Sequence, residues 1–118
     1  MKLVYATRTG NVQKLVDKIG YNDVLEIETG DERVNEDYLL ITYTDGAGEI
    51  PQVVEDFLRN NLVGLKKIAV SGNMARHANT FCGAADEILK MKNVEVVARF
   101  NSAGDDSIVE LINKALNN

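Results

Sequence analysis

One spacing constrains this chain more than any other feature. Five short apolar runs, at residues 2–6, 23–28, 38–43, 67–71 and 94–100, read as strands, and most of the stretches between them carry helical periodicity. Val12, Leu15, Val16 and Ile19 fall on one helix face, with Gly20 where a C-cap belongs. Ile50, Val53, Val54, Phe57 and Leu58 form a second stripe, with Pro51 suited to its first turn. Phe81, Ala84, Ala85 and Ile88 mark a third helix; Ile108, Leu111, Ile112 and Ala115 mark a fourth, with Asp105 or Asp106 at its start. The exception is the link between the second and third strands. Residues 29–37 are too few for the crossover helix that adjacent parallel strands need. The two strands can still be parallel if the first strand lies between them. That predicts a five-stranded parallel sheet in the order 2-1-3-4-5, a three-layer α/β/α sandwich whose helix between strands 2 and 3 is missing. The run YLLITY at 38–43 is apolar on both faces, as a central strand requires, whereas 23–28 is interrupted by acids and suits an edge. In such sheets ligands bind at the carboxyl ends of the strands where the order reverses, here strands one, three and four.

Composition narrows the function classes. The 118 residues fit a single domain over 1–118, long enough to bury roughly two thirds of its unfolded surface. Cys82 is the sole cysteine and there is one histidine, so neither an internal disulfide nor a structural zinc site is expected. With 13 basic and 18 acidic residues the net charge is −5, which argues against nucleic acid and anionic membrane as partners. No apolar run approaches the ~18 residues of a membrane span, and the first residues lack a secretory signature, so a cytoplasmic location is expected. The charge is uneven. Residues 23–37 hold seven acids against one base, Arg33, and carry −6, while the rest of the chain carries +1. The loops at the expected ligand end are balanced, Arg8 and Arg76 against Asp45 and Glu49.

The first of those loops is Thr7-Arg8-Thr9-Gly10-Asn11, between a strand and a helix. Hydroxyls two residues apart, a glycine and a helix N-terminus make a phosphate cradle; the alternative is ordinary N-capping by Thr9. Other devices are absent: neither GxxxxGK[ST] nor GxGxxG occurs, and the loop holds no cysteine of a phosphatase and no acids of a phosphoacceptor domain.

The T-x-T-G-N pattern resembles the flavin mononucleotide phosphate loop of flavodoxins. ITYTDGAGEIP (residues 41–51), SGN (71–73) and FCGAADEI (81–88) resemble the corresponding segments of the NrdI family, the small flavodoxin-like partners of class Ib ribonucleotide reductase. The resemblance spans essentially the whole chain and includes the short link at 29–37. It implies a flavodoxin-like fold with FMN as cofactor. Thr7, Arg8, Thr9, Gly10, Asn11 and Val12 would hold the phosphate. Tyr43, Thr44, Asp45, Gly46, Ala47 and Gly48 would run along the ring, with a peptide able to rotate toward flavin N5. Asn73, Met74, Arg76, His77 and Ala78 would form the third wall, with Phe81 and Cys82 behind. It implies no catalytic side chain and no metal ligand. One departure stands out: NrdI proteins usually carry an aromatic followed by glycine in the third loop, where this chain reads MARHANTFC. The implied function is reaction of the reduced flavin with oxygen, supplying superoxide or a related oxidant to a dimanganese class Ib small subunit, with a flavin reductase or redoxin as electron source. The alternatives are a flavodoxin-type electron carrier and a flavin-free interaction module of the same fold. For Cys82 a redox thiol stands against a packed helix thiol; for His77, a proton donor stands against an exposed loop residue.

Overall fold

The computed structural model describes residues 1–76 and 78–117. Strand β1 (Lys2–Tyr5) leads into helix α1 (Asn11–Ile19), followed by β2 (Val24–Glu26), β3 (Tyr38–Tyr43), α2 (Gln52–Asn61), β4 (Leu65–Gly72), α3 (Gly83–Met91), β5 (Glu95–Asn101) and α4 (Asp106–Leu116). All pairings are parallel and the sheet order is β2-β1-β3-β4-β5, as the short link requires.

The period-2 alternation of strand side chains divides the core into two layers. Val4, Leu40, Ile68 and Val70 face α2 and α3 and meet Phe57 and Ile88. Leu3, Leu39, Ile41 and Ala69 face α1 and α4 and meet Leu15 and Ile112. The run YLLITY serves both layers, which is why it lacks a polar face. Tyr38 sets its ring edge-on to Phe57 at 5.6 Å between centroids. The four α1 positions picked out by periodicity, Val12, Leu15, Val16 and Ile19, are the buried ones, and Gly20 ends the helix in the left-handed region. At the other end of the chain Asp105 caps α4, accepting from the N–H groups of Ser107 and Ile108.

Most strand ends shift by one or two residues from the sequence reading, and three differences have a clear cause. Strand β2 spans three residues rather than six, because only one side of it has a partner. Gly72 closes β4 instead of breaking the chain before it. Helix α3 starts at Gly83 because Cys82 adopts a left-handed conformation, φ 55°, leaving Phe81 outside the helix.

Residues 27–37 run back alongside α2, from the carboxyl end of β2 to the amino end of β3, without a helix, and two side chains hold them. Glu32 folds back so that its carboxylate accepts the backbone N–H groups of Glu28, Thr29 and Gly30 at 2.8, 3.0 and 2.9 Å. Asn61, buried at the end of α2, accepts from Val34 N–H at 2.9 Å and donates to the carbonyls of Glu32 and Phe57. The crossing also presses close to α2: a Cβ on Gly30 would lie 2.9 Å from Asp56 Cβ.

Burial by itself would raise the Glu32 pKa, but the backbone donors outweigh it and hold the carboxyl below its usual 4.5. Its stabilisation is therefore complete above that usual value and is lost as pH falls through the depressed native one. Replacing Asn61 with alanine strands buried partners and is expected to cost about 2 kcal/mol in urea unfolding at pH 7. E32A is expected to cost about 1 kcal/mol at pH 7, with the deficit shrinking as the pH drops through the native Glu32 pKa.

Candidate functional site

At the carboxyl end of the sheet the loops after β1, β3 and β4 surround a cleft of about 830 Å³, counted out to its open mouth.

Thr7, Arg8, Thr9, Asn11 and Val12 line its first side. Gly10 does not line it; it holds φ 92° and occupies the N-cap position of α1. No side chain caps the helix. The capping role open to Thr9 in the sequence is thus unfilled, and among the described residues no side chain accepts from the first-turn N–H groups of α1. Beside them Thr7 Oγ1 is buried without a hydrogen-bond partner. A buried hydroxyl left unpaired costs about 1–3 kcal/mol, so this is a position that favours an acceptor from outside the chain.

Tyr43, Thr44 and Gly46 line the second side, while Asp45, Ala47 and Gly48 stand back from it. Asp45 and Glu49 exchange backbone hydrogen bonds, both 2.8 Å, and close the loop at its neck. Gly48, at φ 102°, touches the start of α3: a Cβ on Gly83 would fall 2.6 Å from Gly48 Cα. The glycine pair lets α3 begin directly against the second loop. Thr44 Oγ1 donates to the Ser71 carbonyl at 2.9 Å and ties this loop to β4.

Asn73 and Arg76 line the third side, with Phe81 and Cys82 behind. Met74 and Ala78 are exposed and do not line the cleft; His77 lies outside the described residues. Four lining residues were not among the expected site residues: Ser71 and Gly72, which belong to the SGN segment quoted above, and Thr80 and Ser102. Ser102 belongs to a fourth loop, after β5. Its carbonyl accepts from Ser71 Oγ, and Asn101 Oδ1 accepts from Met74 N–H at 3.0 Å, so this loop braces the third. The available signal was the NSAG turn sequence after strand five, at the same sheet end as the other three loops.

Arg8 is engaged on two sides. Arg8 Nη1 donates to Asp45 Oδ1 at 2.7 Å, and its guanidinium carbon lies 5.2 Å from the Tyr43 ring centroid. Burial first, with Asp45 nearby, raises the Tyr43 phenol above its ordinary pKa; Arg8 opposes this. Cys82 is fully buried with Sγ 3.3 Å from the Val70 carbonyl, and burial pushes its thiol up to about 11. It is a packed thiol. Among the described residues there is no cluster of His, Cys, Asp and Glu that could hold a metal ion.

Two outcomes follow from this geometry. Native Cys82 is expected to resist a disulfide reagent at pH 8 and to react at the ordinary rate once the chain is unfolded, because so little of it is thiolate. G83A forces the second loop and α3 apart and is expected to cost about 1–3 kcal/mol in thermal unfolding.

Comparison with known proteins fits this frame. The family model described as "NrdI Flavodoxin like" matches residues 3–114. Protein NrdI of Bacillus licheniformis is 37% identical over 111 residues, covering 94% of this chain and 83% of that protein. Protein NrdI of Macrococcus caseolyticus is 34% identical over 113 residues, covering 96% and 86%. Among solved structures, a short-chain flavodoxin associated with a bacterial microcompartment superposes with TM-score 0.66 at 20% identity, covering 96% of this chain and 90% of that one. A Fusobacterium nucleatum flavodoxin mutant bound to flavin mononucleotide gives 0.63 at 17% identity, covering 98% and 92%. The structural likenesses establish the fold alone; the family match over nearly the whole length establishes more, and the chain belongs to the NrdI family of flavodoxin-like proteins.

Proposed function

We propose that the cleft binds FMN with its phosphate against the uncapped start of α1, and that the protein serves class Ib ribonucleotide reductase. The observation that carries the cofactor reading is Thr7 Oγ1, a buried hydroxyl with no partner beside a helix N-terminus with no cap. A phosphate supplies the acceptor that both lack. Thr7, Thr9 and the N–H groups at the start of α1 would hold it, leaving Tyr43, Thr44 and Gly46 on one side and Asn73, Arg76 and Phe81 on the other for the ring. Family membership and the FMN bound to the F. nucleatum flavodoxin support this reading.

The bound flavin would supply electron transfer to oxygen, giving superoxide for assembly of the dimanganese–tyrosyl radical cofactor of the class Ib small subunit. The chain's own residues hold and orient. Burial raises the pKa of the Tyr43 phenol and the Cys82 thiol, so both keep their protons at neutral pH. The electron source would be a flavin reductase or redoxin in the cytoplasm. The likeness of the fold to flavodoxins favours, as a second reading, a plain electron carrier.

T7V tests the cofactor site with effects of opposite sign. The apoprotein is expected to be as stable or about 1 kcal/mol more so, because an orphan hydroxyl is gone, while FMN affinity in a fluorescence titration falls about tenfold. Partner activity is tested by adding the reduced protein and oxygen to a manganese-loaded class Ib small subunit. A tyrosyl radical signal in electron paramagnetic resonance is expected; efficient transfer to a reductase partner with no radical would leave the carrier reading instead.

A further inference from the structure

Resting on the flavin reading, we infer that Arg8 and Asp45 form a clasp across the mouth of the cleft that sets how fast the cofactor leaves. In this role Arg8 is a positioning residue and not the counter-ion of the phosphate. The pair joins residues 37 apart in sequence and links the first loop directly to the second, with Nη1 and Oδ1 2.7 Å apart. Asp45 is a fixed post. Its Oδ1 also accepts Gly46 N–H at 3.1 Å, and its backbone is locked to Glu49. The guanidinium rests over the Tyr43 ring, 5.2 Å from its centroid, so the clasp also backs a side chain of the cleft wall.

Charge argues the same way. Asp45 already neutralises Arg8, and the unpaired hydroxyl and uncapped helix start are separate provisions for an anion. Opening the cleft by parting the first two loops must break the ion pair and lift the guanidinium from the ring. Both side chains are about half exposed, 58% for Arg8 and 40% for Asp45, so the clasp is modest and salt-sensitive, as a gate that must open requires.

The test is the rate of FMN release from loaded wild type, R8A, D45N, the double variant R8A/D45N and the charge swap R8D/D45R, followed by recovery of free-flavin fluorescence after dilution. A clasp predicts that R8A and D45N each speed release about twofold to fivefold. The double variant is then no faster than the faster single one, and the swap returns part of the way to wild type. Raising KCl from 50 mM to 1 M, about an 8–10 Å shortening of the screening length, speeds wild type and leaves D45N little changed. A counter-ion role predicts the opposite sign at Asp45: R8A weakens binding while D45N, having lost a nearby negative charge, tightens it. That pattern, or release rates equal in all variants, overturns the clasp and leaves the flavin reading standing. Failure of the wild type to take up FMN overturns both.

Discussion

The sheet places β2 and β3 on opposite sides of β1, and the chain must pass from one to the other on eleven residues, 27–37, with no helix of their own to bury. Everything at the ligand end depends on that passage holding its register. Val4 of β1 stands opposite Leu25 of β2 and Leu40 of β3, and a slip of one residue would exchange the side chains that a neighbour gives to the two core layers. Asn61 supplies the constraint. One buried amide on α2 holds the crossing by both its donor and its acceptor, and Tyr38 donates to the carbonyl of the same residue at 2.9 Å. The crossing is thereby fastened to the helix that follows β3, and β1 keeps its place between β2 and β3 with its loop lining the cleft.

The cleft is built from omissions as much as from side chains. Glycine at the N-cap leaves the start of α1 without a capping oxygen. Glycines at 48 and 83 let two backbones meet where side chains would hold them apart, so that α3 closes the back of the site. Gly72 is pressed in the same way: a Cβ there would fall 2.8 Å from Cys82 N. Burial holds the Tyr43 phenol and the Cys82 thiol beside the cleft in their neutral forms. Such a lining suits a ligand that brings its own reactivity, since the protein contributes shape, hydrogen-bond donors and a quiet electrostatic background.

Much of this was legible from residue pattern. YLLITY announced a central strand, the shortness of 29–37 pointed to the order of the sheet, and T-R-T-G-N marked a loop that lines the cleft, because each depends on local spacing. Twelve of the residues expected at the site line the cleft. Sequence gave no hint of the contacts made between distant segments. The Arg8–Asp45 pair, the Gly48–Gly83 approach and the bracing of the third loop by Asn101 and Ser102 each need the fold before they exist. Asp45, Ala47 and Gly48 were read as a continuous wall, but the Asp45–Glu49 neck turns that part of the loop away. The left-handed Cys82 was equally invisible, since only glycine, asparagine and aspartate advertise that conformation. It moved the helix start by two residues relative to Phe81.

The brevity of β2 bears on a different property, the behaviour of the protein when crowded. An open strand edge is a template on which a foreign strand can add, and a sheet of five strands has two of them. At the β2 side the template is only three residues, about 10 Å, and it is flanked by Asp23 and Glu28 and includes Glu26. An incoming strand would gain few hydrogen bonds there and would meet carboxylates as it docked. At the β5 side Arg99 is engaged by Asp86 from α3, so a charged side chain guards that edge as well. The acidic segment that dominates the charge of the chain thus insulates the sheet from strand addition, a safeguard against aggregation that operates far from the cleft.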